Sequence, residues 1–410
     1  MIEGHDIICF SNDWDGDPLS KKHIMTRLAR KNRVLWVNSI GNRRPTLSLH
    51  DLRRVWKKVG DSARGSRSGD SNITVYSPLV LPFYGSRAAR WFSRRQLRSG
   101  LLRVCRRLKF RDVITWTFAP SSADVAGTLG EEIVLYHCVD EFSEFDGVDR
   151  DALLEMERRL LAKAHLVVVS SSHLYESKSR HNPETHLVTH GVDTEHFRRA
   201  CDPGTVVPEE VARLPRPVVG FFGLIAHWVD LRLIRQLATA RPEWSFVLIG
   251  KTAADCGGLN RLANVHLLGR RMYSDLPSYC KGFDAAIVPF EVNDLTLAAN
   301  PLKLREYLAA GLPVVSSALP EAGKFSRLVR IARTHDEFLR HLDAVMAEGR
   351  TGPRLEVSRS MEPESWDEKV EALSGLVNEA LRARTRLRPS YGDGGAKLSD
   401  LADGSSLYAH

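Results

Sequence analysis

The sequence predicts an α/β protein made of two doubly wound parallel sheets. Through most of the 410 residues, short apolar segments alternate with amphipathic helical segments, and several of the apolar segments end in glycine. This alternation is typical of βαβ units, in which a helix connects two parallel strands. The chain is long enough to build two cores, and four prolines between residues 203 and 217 separate its halves.

The predicted domain boundaries follow from these patterns. The last long amphipathic pattern lies at residues 363–384, and the chain beyond it has too few large apolar residues to pack. We expect a first domain at 1–202, a linker at 203–217, a second domain at 218–362, a final helix at 363–384 and a disordered tail at 385–410.

The first domain begins with a βαβ unit whose first strand is Asp6–Phe10. The unit has no G-x-G-x-x-G, so a dinucleotide site of that type is not supported. Ligands enter doubly wound sheets at the carboxyl ends of the strands, and Asp15 and Gly16 lie in the polar loop that follows this strand. An aspartate in this loop would equally serve as a cap for the next helix.

The net charge of +8 is concentrated near the amino end. The first 110 residues contain 23 Lys and Arg against 8 Asp and Glu, or +15, and the other 300 contain 35 against 42, or −7. Much of the excess lies in two segments, Arg43–Arg67 and Arg87–Lys109, and the second has a helical pattern with an apolar face. The loop Gly60–Ser71, which overlaps the first segment, is predicted to be mobile from its glycine and serine content.

Three interpretations of the basic helix remain open: a solvated charged face, a surface that binds an anionic membrane, and a nucleic-acid site. Zinc-ligand spacings and aromatic RNA-binding runs do not accompany the charge, so we rank the membrane above nucleic acid. The residues assigned to this patch are Arg94, Arg95, Arg106 and Arg107.

A second loop in this domain is rich in carboxylates. It follows the apolar strand at 132–137 and contains Asp140, Glu141, Glu144 and Asp146. A carboxylate at the end of a strand can act as general base for a hydroxyl group within hydrogen-bond distance. Each acid taken singly is also suited to a helix cap or a solvated loop.

The second domain begins with an apolar strand that ends at Gly223. Because glycine lacks a Cβ, a phosphate group could approach the backbone closely there. His227 follows in the next turn, where it would either bind a ligand or pack as a structural histidine.

Residues 299–317 combine a helix start with two charges. Asn300-Pro301 marks the start, Lys303 lies in the first turn, Glu306 lies three residues later and Gly311 ends the helix. The helix N-terminus and the lysine together favour a bound anion such as a diphosphate, and the carboxylate suits a ribose diol. The alternative is a Lys–Glu pair in solvent on an ordinary amphipathic helix.

Three segments resemble those of GT-B glycosyltransferases, particularly bacterial exopolysaccharide and teichuronic-acid enzymes. Residues 300–315, N-P-L-K-L-R-E-Y-L-A-A-G-L-P-V-V, resemble the donor-site signature of that family. Residues 136–142, Y-H-C-V-D-E-F, resemble an acceptor-side stretch in which an aspartate usually occupies the position of His137. Residues 190–197, H-G-V-D-T-E-H-F, resemble the end of the first domain.

The resemblance implies two Rossmann-like domains that face a cleft, with a C-terminal helix that crosses back to the first domain. It implies catalytic roles for Asp140 and, second, His137, and it directs the loop of Asp15 and Gly16 toward the acceptor. Many relatives carry an Arg and a Lys after the glycine that matches Gly223, and this chain lacks both, so Lys303 must hold more of the diphosphate. The implied donor-binding residues are Gly223, His227, Arg270, Asn300, Lys303 and Glu306.

The resulting prediction is a metal-independent hexosyltransferase that uses a UDP- or GDP-linked sugar as substrate and needs no cofactor. The expected acceptor is lipid-linked or an oligosaccharide, in cell-surface polysaccharide biosynthesis. The sequence has no run of about eighteen apolar residues, no close cysteine pair and no basic flank at its amino terminus, so we expect a cytoplasmic protein at the inner face of the plasma membrane. The alternatives are a nucleotide-sugar epimerase of the same architecture and a non-catalytic nucleotide-sugar-binding protein.

Overall fold

The computed structural model describes residues 1–39, 66–68, 72–78, 87–145, 147–253, 256 and 258–387. Most of the basic segment Arg43–Arg67, most of the loop Gly60–Ser71, Asp146 and the tail from residue 388 lie outside the described residues. The chain forms two compact units. The first contains Met1–Val188 and the chain from Val370, and the second contains Thr189–Lys369.

The first unit is built on an eight-stranded sheet with the order β3-β4-β2-β1-β5-β6-β7-β8. Strand β3 is antiparallel to β4, and the other neighbours are parallel. The strands are β1 (Asp6–Phe10), β2 (Arg33–Val37), β3 (Ser66–Ser68), β4 (Ile73–Tyr76), β5 (Val113–Thr117), β6 (Ile133–Cys138), β7 (Leu166–Val169) and β8 (Thr185–Leu187). The helices are α1 (Ser20–Leu28), α2 (Arg87–Leu108), α3 (Arg150–Lys163) and α4 (Ser172–Lys178), with short 3₁₀ turns at Pro120–Asp124 and Phe142–Glu144.

The second unit is built on a six-stranded parallel sheet with the order β11-β10-β9-β12-β13-β14. Its strands are β9 (Val218–Phe222), β10 (Ser245–Ile249), β11 (Val265–Gly269), β12 (Ala285–Val288), β13 (Val314–Ser317) and β14 (Val329–Ala332). Its helices are α5 (Thr194–Arg198), α6 (Glu209–Ala212), α7 (Leu231–Ala240), α8 (Leu276–Lys281), α9 (Asp294–Ala298), α10 (Leu302–Ala309), α11 (Pro320–Gly323), α12 (His335–Ala347) and α13 (Leu355–Arg359). Helix α14 (Trp366–Leu387) starts in this unit and joins the first from Val370, as expected for the final helix.

Both faces of the second sheet are covered, which explains why its strands are almost uniformly apolar. Along β9, Val218 and Phe222 belong to one core cluster, and Val219 and Phe221 belong to the cluster on the other face. The strand order reverses direction between β9 and β12 in this sheet and between β1 and β5 in the other. Ligands of doubly wound proteins bind outside the carboxyl ends of the strands at such switch points, so these two edges are where sites are expected.

The boundary between the units differs from the predicted one. Residues 189–202 belong to the second unit, although the sequence pattern assigned them to the first domain. The reason is Phe197 in α5, which is 0% exposed and stacks on Phe222 with ring centroids 6.0 Å apart. The predicted linker likewise contains α6, whose Val211 is buried in the same core cluster.

Candidate functional site

The carboxyl edge of the second sheet is lined by glycines that follow or end three neighbouring strands. Gly223 and Gly250 have φ values of +150° and +153°, and Gly269 has +70°. A Cβ built on Gly250 would lie 1.7 Å from the carbonyl oxygen of Gly223, so no other residue fits there. Gly223 and Gly250 are half-buried and Gly269 is exposed, so this edge of the sheet presents backbone without side chains.

Helix α10 brings a cation to this backbone. The stem of Lys303 lies against Gly223, since a Cβ built on the glycine would be 3.4 Å from the lysine Cε. The Lys303 ammonium lies 4.9 Å from the Phe222 ring centroid and donates to Glu306 Oε2 at 2.9 Å. The Glu306 side chain is only 8% exposed, so the alternative of a pair in open solvent does not describe this arrangement.

The start and end of α10 agree closely with the sequence. Pro301, the predicted first helical residue, is the N-cap, so the helix begins one residue later at Leu302, and Gly311 has the expected positive φ of +80°. Tyr307 connects the helix to β9, because its hydroxyl accepts a hydrogen bond from the Phe222 N–H at 2.7 Å. This bond fixes the distance between α10 and the carboxyl end of β9.

A buried charge network beneath the helix was not found from the sequence. Arg305 is 1% exposed, donates to Asn300 Oδ1 and pairs with Glu364 Oε2 at 3.1 Å. Asn300 also donates to Glu321 at 3.4 Å, and Glu321 is 0% exposed. The side chain of Asn300 is thus held from two sides within the protein, which makes it a residue that shapes the helix start.

His227 and Arg270 follow β9 and β11 at the same edge of the sheet, and both side chains are exposed. The His227 ring contacts Trp228 edge to face at 5.0 Å. Sequence reasoning missed His196, whose ring stacks on Tyr273 with centroids 4.4 Å apart and whose Nε2 lies 2.9 Å from the Tyr273 carbonyl oxygen. Burial lowers the pKa of His196, so this stack is built around a neutral ring.

In the first unit, Asp140 follows β6 at the carboxyl edge of the sheet. Burial raises its pKa to about 6, the ammonium of Lys21 opposes that rise, and Glu141 adds to it. Lys21 reaches this edge from α1, with its ammonium 5.8 Å from the Phe118 ring centroid and 5.5 Å from that of Phe142.

His137 lies deeper than Asp140. It is 2% exposed and stacks on Phe118 with centroids 4.9 Å apart. Burial, with a contribution from Lys21, lowers its pKa to about 3, so the ring is neutral. Its Nδ1 is enclosed and makes no hydrogen bond to any described residue. His137 is therefore a neutral, enclosed residue of β6, packed against the ring of Phe118.

A buried ionic network fixes the loop that carries Asp140. Lys178 donates to Glu157 and to Glu141, both at 2.8 Å, and Tyr136 donates to Glu157 at 2.6 Å. Lys178 and Glu157 are 4% and 5% exposed. Because Glu141 is the next residue after Asp140, this network fixes the backbone that positions the Asp140 carboxylate.

The loop after β1 exposes Asp15 and Gly16 at the same edge as Asp140. The N-cap of α1 is Leu19, without a side-chain cap, so the capping alternative for the aspartates is not realised. Within the described ranges, no cluster of three or more His, Cys, Asp or Glu residues is arranged to hold a metal ion.

Helix α2 has the two faces that the sequence predicts. Leu97, Leu101 and Val104 are buried. The outward residues include all four arginines of the predicted patch, Arg94, Arg95, Arg106 and Arg107. Trp91 and Phe92 are also exposed, at 62% and 53%, and the Arg95 guanidinium lies 5.9 Å from the Trp91 ring centroid. No helix in the described part of the chain combines the length and apolarity needed to cross a membrane.

Comparison with known sequences finds a family match within the second unit. Residues 216–347 match the family described as Glycosyl transferases group 1. A Bacillus subtilis (strain 168) protein named as a teichuronic acid biosynthesis glycosyltransferase, TuaH, is 28% identical over 234 residues, which are 52% of this chain and 57% of that protein. The match thus spans little more than half of that relative.

Solved structures match this chain over nearly its whole length. Sucrose-phosphate synthase from Thermosynechococcus elongatus is 15% identical with a TM-score of 0.66, over 93% of this chain and 100% of that one. Anabaena Alr3699/HepE in complex with UDP and glucose is 14% identical with a TM-score of 0.63, over 92% and 100%. An α,α-trehalose-phosphate synthase from Burkholderia xenovorans is 12% identical with a TM-score of 0.64, over 93% and 100%. The chain therefore has the GT-B fold, and its residues 216–347 match the glycosyl transferases group 1 family.

Proposed function

We propose that this protein is a glycosyltransferase that moves a sugar from a nucleotide-sugar donor to the hydroxyl group of an acceptor. The observation that carries the proposal is the contact of Lys303 with Gly223 and Glu306 at the switch point of the second sheet. A cation, open backbone and a carboxylate lie there within one small area. A nucleoside diphosphate needs these groups for its phosphates and its ribose.

On the donor side, Lys303 and the N-terminus of α10 stabilise the diphosphate as it leaves, because negative charge develops there when the bond to the sugar breaks. Glu306 accepts hydrogen bonds from the ribose hydroxyls, and Asn300 shapes the loop that opens the helix. Arg270 and His227 lie at the same edge. Arg270 is assigned to the nucleotide base, and His227 is assigned to a hydrogen bond with the donor. The similar HepE structure is a complex with UDP, which supports UDP as the first nucleotide to test and GDP as the second.

On the acceptor side, Asp140 takes the proton of the attacking hydroxyl. A pKa of about 6 leaves most of the carboxylate charged at neutral pH and still close to the pH at which a base is most effective. Asp15 and Gly16 lie at the same edge and are assigned to acceptor binding. A direct catalytic role for His137 stays a prediction.

The reaction is proposed to need no metal, because Lys303 and the α10 N-terminus supply the positive charge that the leaving diphosphate requires. Transfer that is unchanged after treatment with a chelator would support this part of the proposal. A loss of transfer that Mg²⁺ or Mn²⁺ restores would contradict it.

The acceptor is proposed to be lipid-linked or an oligosaccharide in cell-surface polysaccharide biosynthesis, on the inner face of the plasma membrane. The similarity to TuaH, which is named for teichuronic acid biosynthesis, supports this class. Helix α2 supports the location, because each exposed arginine near an anionic surface contributes roughly 1 kcal/mol and aromatic side chains favour the headgroup region. Exchange of the four arginines for glutamine should release the protein from anionic vesicles. Vesicle binding that does not change with salt would contradict the electrostatic account.

A panel of labelled nucleotide sugars with membrane extract tests the main proposal. Incorporation of label into lipid or polysaccharide supports a transferase. Conversion of the free donor without transfer would instead indicate an epimerase, and binding without turnover would indicate a nucleotide-sugar-binding protein. Lys303→Ala serves as the matched inactive variant.

A further inference from the structure

We propose that Lys21 is a positioning residue for the acceptor reaction, whose ammonium keeps the Asp140 carboxylate charged and directed toward the acceptor hydroxyl. The proposal rests on the proposed function, in which Asp140 is the base. It assigns a role to a residue that neither the sequence pattern nor the comparisons single out.

The position of Lys21 follows from the topology. It is the second residue of α1, which follows the loop after β1, and β1 lies beside β5 at the switch point of the first sheet. Phe118 directly follows β5, and Phe142 lies two residues after Asp140. The Lys21 ammonium is 5.8 Å from the first ring centroid and 5.5 Å from the second, so it lies over the segment that carries Asp140.

The two rings have a physical consequence. Aromatic faces attract an ammonium group without neutralising its charge. Burial lowers the pKa of Lys21 and the charge of Asp140 opposes that fall, so each group of the pair stabilises the charged form of the other. Neighbouring lysines are used differently. Lys178 is paired with Glu141 and Glu157, and Lys22 donates to the Trp14 carbonyl oxygen at 3.3 Å.

The other charged and titratable groups near Asp140 leave this role to Lys21. Glu141 is held by Lys178 from α4, which also holds Glu157 from α3. His137 from β6 is neutral, and the thiols of Cys9 in β1 and Cys138 in β6 are kept protonated because burial raises their pKa values. Among the groups that act on Asp140, Lys21 lowers its pKa, whereas burial and Glu141 raise it.

The proton balance shows why this matters. The acceptor O–H gives its proton to the Asp140 carboxylate, and the acceptor oxygen forms a bond to the anomeric carbon. The bond from that carbon to the diphosphate breaks, and its electron pair leaves with the nucleoside diphosphate. Asp140 then releases its proton to water. Only the charged carboxylate can begin this cycle, so the rate falls as pH drops through the pKa of Asp140.

The test is the pH–rate profile of Lys21→Met with Lys22→Met as the matched control one residue away. Loss of the Lys21 charge should move the acid limb of the profile upward by about one pH unit, so activity at pH 6 falls about fivefold and recovers near pH 8.5. Lys22→Met should leave the limb in place, and Lys21→Arg should restore it. A uniform loss of activity at every pH would show a merely structural role and overturn the proposal.

A second readout does not depend on turnover. The titration of Asp140 can be followed by NMR through the signal of its carboxyl carbon in aspartate-labelled full-length protein. This signal is assigned as the one that is missing in Asp140→Asn. The midpoint should rise in Lys21→Met and not in Lys22→Met, and an unchanged midpoint would overturn the proposal even if wild-type transfer is observed. Absence of transfer by the wild type, by contrast, would contradict the proposed function and leave the titration to decide the role of Lys21.

Discussion

Lys303→Met is the most direct test of the donor site. Methionine keeps an unbranched apolar stem against Gly223 and Phe222, so the change removes mainly the ammonium group. In the free protein that group is held by Glu306 at 2.9 Å and remains 24% exposed, so it is fixed in place and still accessible to a ligand. The variant should fold because methionine fills the space of the lysine stem, but it should lose some stability because the mostly buried Glu306 carboxylate is left without its partner.

The expected loss of nucleotide affinity can be estimated from the contacts. Removal of a charged donor from a diphosphate costs about 1.5–3 kcal/mol. The Glu306 carboxylate is only 8% exposed and would then face the phosphates without its neutralising partner, which adds to the loss. A total of about 3 kcal/mol corresponds to a decrease of roughly 150-fold in affinity or turnover.

Titration calorimetry with UDP, at two salt concentrations, measures this effect. Lys281→Met is the control. Lys281 is the last residue of the helix that precedes β12, so it lies toward the amino ends of the strands. Its ammonium donates to the carbonyl oxygens of Asp202 and Pro203. The control should bind UDP as the wild type does. If Lys303→Met remained folded and bound UDP within threefold of the wild type, the diphosphate could not lie at Lys303.

Three further results are expected. Asp140→Asn should bind UDP normally but lose at least about 100-fold in transfer measured with labelled donor. The wild-type rate should decrease as the pH drops below about 6. Unimpaired transfer by the variant would exclude Asp140 as the base. Gly250→Ala places a Cβ 1.7 Å from a carbonyl oxygen and should destabilise the protein by about 3 kcal/mol in urea unfolding, whereas Gly375→Ala, with nothing within 4 Å, should not. Arg305→Met should destabilise by about 3 kcal/mol and raise the KM for the donor, because it breaks the network around Asn300; normal stability would mean that the network is dispensable.

The contact between Lys303 and Glu306 was predictable because the two residues are close in sequence. Lys303 and Glu306 are three residues apart on one helix, so their spacing alone brings them together. The Arg305–Glu364 pair joins residues 59 positions apart, so no local sequence pattern predicts it. Lys21 lies in the helix that follows β1, and Asp140 lies in the loop that follows β6. Their proximity can be inferred only once the strand order β1-β5-β6 is known.

The errors near the edges of the elements have a similar origin. An apolar residue such as Phe197 signals that it is buried and not which core it enters, so the chain order alone placed it in the wrong domain. Ser66–Ser68 lies within the loop predicted to be mobile, yet it forms an edge strand, because edge pairing uses backbone groups and needs no apolar side chains. After residue 329 the sheet continues through β14, although the apolar pattern there is weak.

The first unit is discontinuous, because its last helix comes from the far end of the chain, whereas the second unit is the single segment Thr189–Lys369. The two places where the chain passes between units are tied together, since Val192 pairs with Ser365 and a Cβ on Gly191 would lie 2.9 Å from Trp366. During synthesis the segment Thr189–Lys369 can therefore complete its sheet before the first unit receives its final helix.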